Sequence, residues 1–341
     1  MKRVKPIVVL GVLFVAAIIF IPSILVLPFS AGNSSGNGSA EPDEEKDDLK
    51  KLLEEASPID VSVYRAEKDT VETVPLEEYV AGVVGAEMPA EFEEEALKAQ
   101  SLTARTYIVK QLMQDKQVGI LKGADVSDTE THQVYKNEDD LRKIWGPDFH
   151  KNMNKIRQAV YETRGQIIVY NDEPIDASYF STSNGYTEDA GNYWTKPVPY
   201  LKSVASPWDT ESPRFSGTIS IPVKEFEKKL GVKITGDHIG EIVSRTGSNR
   251  VEKVKIGNKE FSGREIREAL GLRSTDFTWE KKGNEIVITT KGYGHGIGMS
   301  QYGANGMAKE GKTFEDIIRY YYKDVEIQEA AAFLDSYIAK K

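Results

Sequence analysis

Apolar residues recur at helical or strand spacing along most of the chain after residue 48. Spacings of three and four predict helices at Leu49–Ala56, Pro75–Met88 and Glu93–Gln114, and Pro89 ends the second of them. The segment 119–146 is polar and irregular, and 181–208 is typical of a loop. Further helices are predicted at Met153–Thr163, Val223–Leu230 and Gly263–Leu270, and strands at Asp60–Tyr64, Gln166–Tyr170, Ala177–Phe180, Thr218–Pro222, Val251–Ile256 and Glu285–Thr290. Since helices and strands do not alternate regularly, the pattern favours an α+β fold.

The N-terminal segment has a different pattern. Residues Pro6–Pro28 form an uncharged, mostly apolar run. As a helix it would reach roughly 34 Å, enough to cross a hydrocarbon layer of about 30 Å. Lys2, Arg3 and Lys5 precede the run, so the N-terminus is expected in the cytoplasm and the body outside it. A cleaved signal peptide is the alternative, but the run is long for one and the following residues make a poor cleavage site.

The domain organisation predicted from this pattern has three parts. Residues 1–30 are a cytoplasmic tip and transmembrane anchor, and 31–48 are a linker rich in Gly, Ser and acidic residues. Residues 49–341 are a single extracytoplasmic domain. We therefore expect a single-pass membrane protein whose catalytic domain stays near the membrane.

Composition excludes several kinds of site. The chain has 341 residues, no cysteine and a formal net charge of −9. Without cysteine there is no disulfide, thiolate nucleophile or cysteine-based zinc site. An acidic body is a poor partner for nucleic acid, because phosphate binding needs a basic surface.

One carboxylate lies on the apolar side of a predicted helix. Glu87 follows Val83 by four residues and Val84 by three, whereas Glu77 and Glu78 are expected on the polar side. A carboxyl group in apolar surroundings loses hydration, so its pKa rises and it can act as a general acid. The alternative is a frayed helix end that leaves Glu87 in solvent. On the next helix Arg105 borders a buried stripe, where it is either a ligand for carboxylate and hydroxyl groups or a surface arginine with a packed stem.

Two later segments concentrate hydrogen-bonding groups. Residues 291–304 (KGYGHGIGMSQYGA) alternate glycine with other residues around His295, and such glycines let a backbone approach a ligand closely. Residues 179–189 (YFSTSNGYTED) are rich in hydroxyls and amides. Aromatic residues nearby suggest a sugar-binding floor, formed by Tyr193, Trp194, Tyr200 and Trp208.

These two segments and VPLEEYVAGVVGAEMPAEFEEEALKAQSLTARTY together resemble the SpoIID/LytB family of spore-forming bacteria. The resemblance covers nearly the whole chain. It implies a peptidoglycan lytic transglycosylase that cleaves peptide-stripped glycan strands to 1,6-anhydro-muramoyl products during engulfment, with Glu87 of the GAEMP motif as catalytic residue. It further implies partners, a cell-wall amidase (stage II sporulation protein P) and a membrane protein (stage II sporulation protein M). By position, the implied substrate-binding residues are Arg105, Ser181, Tyr200, Lys202, His295 and Gln301.

The resemblance has one departure and leaves alternatives. Some relatives hold zinc with Cys and His ligands near positions 128–133, where this chain has His132 and no Cys. We therefore expect no metal and no cofactor, although Asp128, Glu130, His132 and His150 are possible metal ligands and a metal-dependent hydrolase that uses Asp128, Glu130 and His132 is an alternative. A second alternative is a non-catalytic glycan-binding protein that activates a partner amidase. A single carboxyl suffices for a transglycosylase, because the C6 hydroxyl of the sugar is the nucleophile, whereas ordinary glycosidases need two.

Overall fold

The structure is a computed structural model that describes residues 44–114, 122–194 and 196–338. These residues form one compact unit. The helices are α1 (Glu44–Ala56), α2 (Leu76–Glu87), α3 (Glu94–Met113), α4 (Glu138–Trp145), α5 (Phe149–Glu162), α6 (Ala190–Tyr193), α7 (Val223–Leu230), α8 (Gly263–Leu270), α9 (Gln301–Lys309), α10 (Phe314–Tyr321) and α11 (Ala331–Ile338). Short 3-10 helices are found at Gly146–Asp148 and Pro207–Glu211.

The strands are mostly short. They are β1 (Asp60–Arg65), β2 (Thr70–Pro75), β3 (Val126–Ser127), β4 (Gln166–Tyr170), β5 (Glu173–Pro174), β6 (Tyr179–Phe180), β7 (Ser216–Pro222), β8 (Glu241–Arg245), β9 (Val251–Ile256), β10 (Lys259–Ser262), β11 (Asp276–Lys282), β12 (Glu285–Lys291), β13 (Met299–Ser300) and β14 (Glu326–Glu329). They form five small sheets, ordered β2-β1-β3, β14-β4-β5, β13-β6, β11-β12-β7 and β10-β9-β8. Among these strands, β1 pairs in parallel with β3 and β6 pairs in parallel with β13. This mixture confirms the α+β class.

Two hydrophobic cores divide the fold. The first core is built around α2 and α3, which pack against each other and against α5, while α9, α10 and β4 pack on α3. The second core belongs to residues 216–291, where α7 and α8 pack with sheets β11-β12-β7 and β10-β9-β8. We call residues 216–291 the inserted region, because chain belonging to the first core lies on both sides of it.

Helices α2 and α3 are buried nearly all round, which their sequences did not predict. Helix α2 begins directly after Pro75 and ends at Glu87, where the Met88 N–H donates to the Val84 carbonyl. Helix α3 buries thirteen of its twenty residues. Its many small residues allow neighbouring elements to approach from several sides. Consequently Glu77 is fully buried and Glu78 largely so, and their expected placement on a polar face is wrong.

The glycine-rich segment connects the inserted region back to the first core. Its four alternating glycines have φ values of 82°, 121°, 90° and 76°, which glycine alone adopts without strain. The backbone of Tyr293 exchanges two hydrogen bonds with Thr182, at 2.7 and 3.0 Å. A Cβ atom at Gly298 would lie 2.0 Å from the Ser178 carbonyl oxygen. The glycines therefore let this segment pack closely on the chain's own 178–184 segment.

The predicted elements match the structure unevenly. Most predicted helices and strands are present, but the polar segment 119–146 contains α4 and β3, and β2, β8, β10 and β11 were not predicted. Helix α1 begins at Glu44, inside the predicted linker. None of the helices in the described ranges is both long and apolar enough to cross a bilayer. The predicted anchor at 6–28 lies outside the described residues.

Candidate active site

A cleft of about 900 Å³ runs between elements of the first core and the inserted region. The first core contributes Glu87 and the segment 130–134 to its lining, and the inserted region contributes residues 267–273. The 177–181 and 293–295 segments also line it. Polar residues lining the cleft are Glu87, Tyr107, Glu130, His132, Gln133, Ser178, Tyr179, Ser181, Arg214, Arg267, Glu268, Arg273, Tyr293, His295 and Gln301.

Glu87 is held at the last position of α2, partly buried in this cleft. Its Oε1 accepts a hydrogen bond from the Val134 N–H at 3.1 Å. The hydroxyl of Tyr179 is a further partner of the carboxyl group. Pro89 prevents the helix from continuing past this point, so the carboxyl is fixed at a helix end that faces the cleft.

Burial raises the pKa of the Glu87 carboxyl, because the charged form loses hydration. The negative charge of Glu130 acts in the same direction, while the Val134 N–H and the Tyr179 hydroxyl lower the pKa. Burial, together with the nearby Glu87 charge, also keeps the pKa of Tyr179 well above its usual value, so this hydroxyl remains a donor. The Glu87 carboxyl therefore retains its proton more readily than a solvated glutamic acid. When it is ionised, the Val134 N–H and the Tyr179 hydroxyl can donate hydrogen bonds to the carboxylate.

Gln301 supports the backbone at Glu87. Its Nε2 donates to the Glu87 carbonyl oxygen at 3.1 Å and to Gln100 Oε1 at 3.4 Å, which ties the start of α9 to α2 and α3. Although Gln301 lines the cleft, it is 95% buried, leaving it little surface for a ligand. Its clearest role in the structure is to position the end of α2.

A buried carboxylate fixes the loops around Ser181. Asp209 accepts hydrogen bonds from the Ser183 N–H at 2.9 Å and from the hydroxyls of Ser183, Ser206 and Ser300 at 2.8, 2.5 and 2.5 Å. Burial raises the pKa of Asp209, and these hydroxyl donors oppose that rise. The network joins the 181–183 segment to the N-terminus of α9. Ser181 thereby lies at the cleft surface on a well-supported backbone.

His295 lines the cleft as a neutral ring. Its Nδ1 accepts the Ile297 N–H at 2.9 Å, and it forms a second hydrogen bond with the Tyr179 backbone. Burial, with the positive charge of Arg267, lowers the pKa of His295 to about 4. Since both interactions are with backbone groups, this side chain holds the glycine-rich segment against the 178–180 segment.

Three residues implied by the resemblance lie elsewhere. Arg105 is fully buried, and its Nη2 pairs with Glu77 Oε2 at 2.6 Å and also donates to the Val160 carbonyl, while Nη1 donates to the Gln166 carbonyl. The hydroxyl of Tyr200 accepts the Asp176 N–H at 2.9 Å. Lys202 pairs with Asp189 at 3.2 Å. None of Arg105, Tyr200 and Lys202 lines the cleft.

The residues predicted to form an aromatic floor are also outside the lining of this cleft. None of Tyr193, Trp194, Tyr200 and Trp208 lines the cleft. The Trp208 indole N–H donates to Glu310 at 2.7 Å, and its ring packs on Tyr320. The aromatic residues that line the cleft are instead Tyr107, Tyr179, Phe180 and Tyr293.

The candidate metal ligands are used in other ways. Asp128 pairs with Arg65 at 2.9 Å, and Nδ1 of His132 accepts from the Ser127 hydroxyl at 2.9 Å. His150 interacts with Arg142 at 3.2 Å. Across the ranges that the structure covers, no group of three or more His, Asp or Glu side chains is arranged to hold a metal ion.

The basic wall of the cleft was not predicted from the sequence. Arg214, Arg267 and Arg273 all line it, and Tyr293 lies among them. The three arginines are separated in sequence and belong to no motif. The sequence gives one weak indication of this basic wall, since Arg267 and Arg273 lie on either side of the end of α8.

Comparison with known proteins identifies the family of this chain. A sequence model of the stage II sporulation protein family matches residues 64–170, which include Glu87. The chain is 50% identical to stage II sporulation protein D of Bacillus amyloliquefaciens, over 99% of this chain and 100% of the relative. It is 49% identical to the Bacillus subtilis protein of the same name over 96% of each, and 32% identical to the B. subtilis amidase enhancer over 71% of this chain and 39% of that relative. The chain therefore belongs to the stage II sporulation protein D family.

Proposed function

We propose that this sporulation protein is a peptidoglycan lytic transglycosylase that cleaves peptide-stripped glycan strands. The observation that carries the proposal is the partly buried Glu87 carboxyl, which has a raised pKa and faces a cleft large enough for several sugar rings. A proton held near neutral pH at such a position is what cleavage of a glycosidic bond requires.

The chemistry uses one carboxyl group twice. Protonated Glu87 gives its proton to the glycosidic oxygen as the bond to C1 breaks. The carboxylate left behind then takes the proton of the C6 hydroxyl, whose oxygen bonds to C1 and closes a 1,6-anhydro ring. Glu87 ends protonated, and no water is consumed. The Val134 N–H at 3.1 Å and the Tyr179 hydroxyl stabilise the carboxylate between the two steps.

The other carboxylates of the cleft differ from Glu87. Glu130 and Glu268 also line it, but both are exposed, and Glu268 pairs with Arg264 at 2.7 Å on its own helix. A retaining or inverting hydrolase needs a second carboxyl that acts on the sugar or on a water molecule. Glu130 is the nearest candidate for that role, since its charge acts on Glu87. It therefore provides the matched control for Glu87.

Cellular placement is part of the proposal. The apolar run at 6–28, preceded by three basic residues, supports a single-pass anchor with the described domain on the outer side. At that place the substrate is the glycan of the wall. The partners proposed from the resemblance are the amidase stage II sporulation protein P, which removes the stem peptides, and the membrane protein stage II sporulation protein M.

A second candidate function is activation of an amidase by glycan binding. The observation that favours it is the 32% identity with a B. subtilis protein named amidase enhancer. In that case the cleft binds glycan without cleaving it. Glu87 would then contribute only a contact with the sugar.

Digestion of peptide-free glycan strands, followed by mass spectrometry, separates these functions. Wild-type protein is expected to release fragments with 1,6-anhydro ends. Glu87→Gln should lower the rate by at least about 10² to 10⁴, the usual contribution of a positioned acid/base, while Glu130→Gln stays within about threefold of wild type. Cleavage by Glu87→Gln at the wild-type rate would refute the proposal. An inactive wild-type protein that accelerates a purified amidase would establish the alternative.

A further inference from the structure

The cleft is lined by ionisable groups of two kinds. The first core contributes the carboxyl groups of Glu87 and Glu130, whereas the other side of the lining contributes Arg214, Arg267 and Arg273. Glu268 also lies on that side, but its partner Arg264 on the same helix offsets its charge. None of the three arginines forms an ion pair with a carboxylate of the described ranges, although arginines of the first core such as Arg65 and Arg157 do. The basic side therefore has positive charge available for a ligand.

Tyr293 and its surroundings hold two of these arginines in place. The guanidinium carbons of Arg214 and Arg273 lie 5.4 and 5.7 Å from the centre of the Tyr293 ring. Such contacts orient a guanidinium without neutralising it. Gly217 leaves room for Arg273, since a Cβ atom there would lie 3.0 Å from Nη1. Arg267 is fixed separately, by donation to the Tyr193 hydroxyl at 3.2 Å and the Leu272 carbonyl at 3.3 Å.

An oriented, unpaired arginine group is suited to a carboxylate, because the planar guanidinium matches two oxygen atoms at once. In intact peptidoglycan the lactyl group of muramic acid is joined to the stem peptide through an amide and has no charge at that position. Removal of the peptide frees one carboxylate on every muramic acid. A stripped strand thus presents anions directly on its sugar rings, at a regular spacing, while a strand with peptides does not.

We infer that Arg214 and Arg273, with Arg267 beside them, bind the free lactyl carboxylates of muramic acid, and that this contact selects stripped strands. The inference rests on the proposed function for its ligand class. It assigns the choice of substrate to the inserted region together with Arg214 just before it, and the cleavage step to the first core.

Binding measured in a Glu87→Gln background tests this without cleavage. The probes are fluorescently labelled stripped glycan, the same glycan with its carboxyls converted to methylamides, and a chitin oligosaccharide, which has no lactyl group. The parent is expected to bind stripped glycan at least about tenfold more tightly than the methylamide form, and to lose that preference in high salt. Adding Arg214→Gln and Arg273→Gln should reduce affinity for stripped glycan to that of the methylamide form, with chitin binding unchanged.

Arg319→Gln is the matched control, since Arg319 is exposed on α10 and does not line the cleft. It should leave all three affinities unchanged. Because Arg214 and Arg273 are exposed, their replacement should leave the melting temperature unchanged, which separates loss of binding from loss of fold. Equal binding of the charged and methylamide glycans by the parent, or an undiminished preference in the double variant, would overturn the inference. If the wild type cleaves stripped glycan but the parent binds the charged and methylamide glycans equally, only this inference is refuted. If the parent prefers the charged glycan but the wild type does not cleave it, only the proposed catalysis is refuted.

Discussion

Arginines of the first core and the cleft-lining arginines of the inserted region have opposite environments. In the first core, Arg105 and Glu77 are both fully buried and paired, and Arg65 bonds three carboxylates, those of Glu72, Asp128 and Asp140. In the inserted region Arg245 pairs with Asp276, but Arg267 and Arg273, which line the cleft, have no carboxylate partner among the described residues. Charge in the first core therefore stabilises a scaffold that holds Glu87, and the cleft-lining arginines of the inserted region remain available for a ligand.

The largest effect expected from this comparison is at the buried pair. Arg105→Met should destabilise the protein by about 3–5 kcal/mol, because it leaves the Glu77 carboxylate buried without its partner. Urea unfolding measures this directly. The double variant Arg105→Met with Glu77→Gln should recover much of the loss, and Arg319→Gln should change stability by less than about 0.5 kcal/mol. A mild effect of Arg105→Met would show that its role is not structural.

A second, more local effect is the loss of stability when a buried phenylalanine of either core is truncated. Phe226 is fully buried in the second core against Trp279, and truncation to Ala should cost about 3 kcal/mol. Hydrogen exchange should accelerate in β7, β11 and β12 while α2 and α3 keep their protection. Phe149→Ala, in the first core, should accelerate exchange in α5 and its neighbours. Uniform acceleration in both variants would show that the two cores open as one unit.

The smallest effect is the stability cost of Glu87 itself. Burial raises its pKa in the folded state, so the folded protein holds this proton more tightly than the unfolded chain and loses stability as pH rises through the folded-state pKa. Glu87→Gln should therefore raise the melting temperature at pH 7 by a few degrees, the shift that about 1 kcal/mol produces in a chain of this size. Near pH 4 and below, where the unfolded carboxyl is also protonated, the gain should vanish. A gain of equal size at both pH values would exclude titration of Glu87 as its cause.

The sequence located Glu87 but not its environment. The positions of Val83 and Val84 correctly oriented this residue, since those neighbours lie on the same helix. Glu77 was misplaced because its partner Arg105 belongs to α3 and reaches it through the core. The hydrophobic pattern of one helix cannot show what packs on its polar side. The fold class, by contrast, was predictable because it depends on the local periodicity of apolar residues.

The site residues show the same limit. Ser181, His295 and Gln301 lie together because β6 pairs with β13, a contact between positions about 120 apart in the chain. The basic wall forms because α8, the end of β12 and residue 214 come together in the fold. The spacing of residues along the sequence does not predict this long-range contact. Strands such as β2 and β11 have one exposed face that contains charged and β-branched residues. These residues obscured the alternation of polar and apolar positions that would have predicted a strand.

Digestion of stripped glycan in H₂¹⁸O tests the central claim most directly. If Glu87 delivers one proton and recovers another from the C6 hydroxyl, water does not enter the product. Mass spectrometry should then find 1,6-anhydro ends without ¹⁸O, produced by wild type and Glu130→Gln and absent with Glu87→Gln. Reducing ends that carry ¹⁸O would contradict the account, because they would require a water nucleophile and a second catalytic carboxylate.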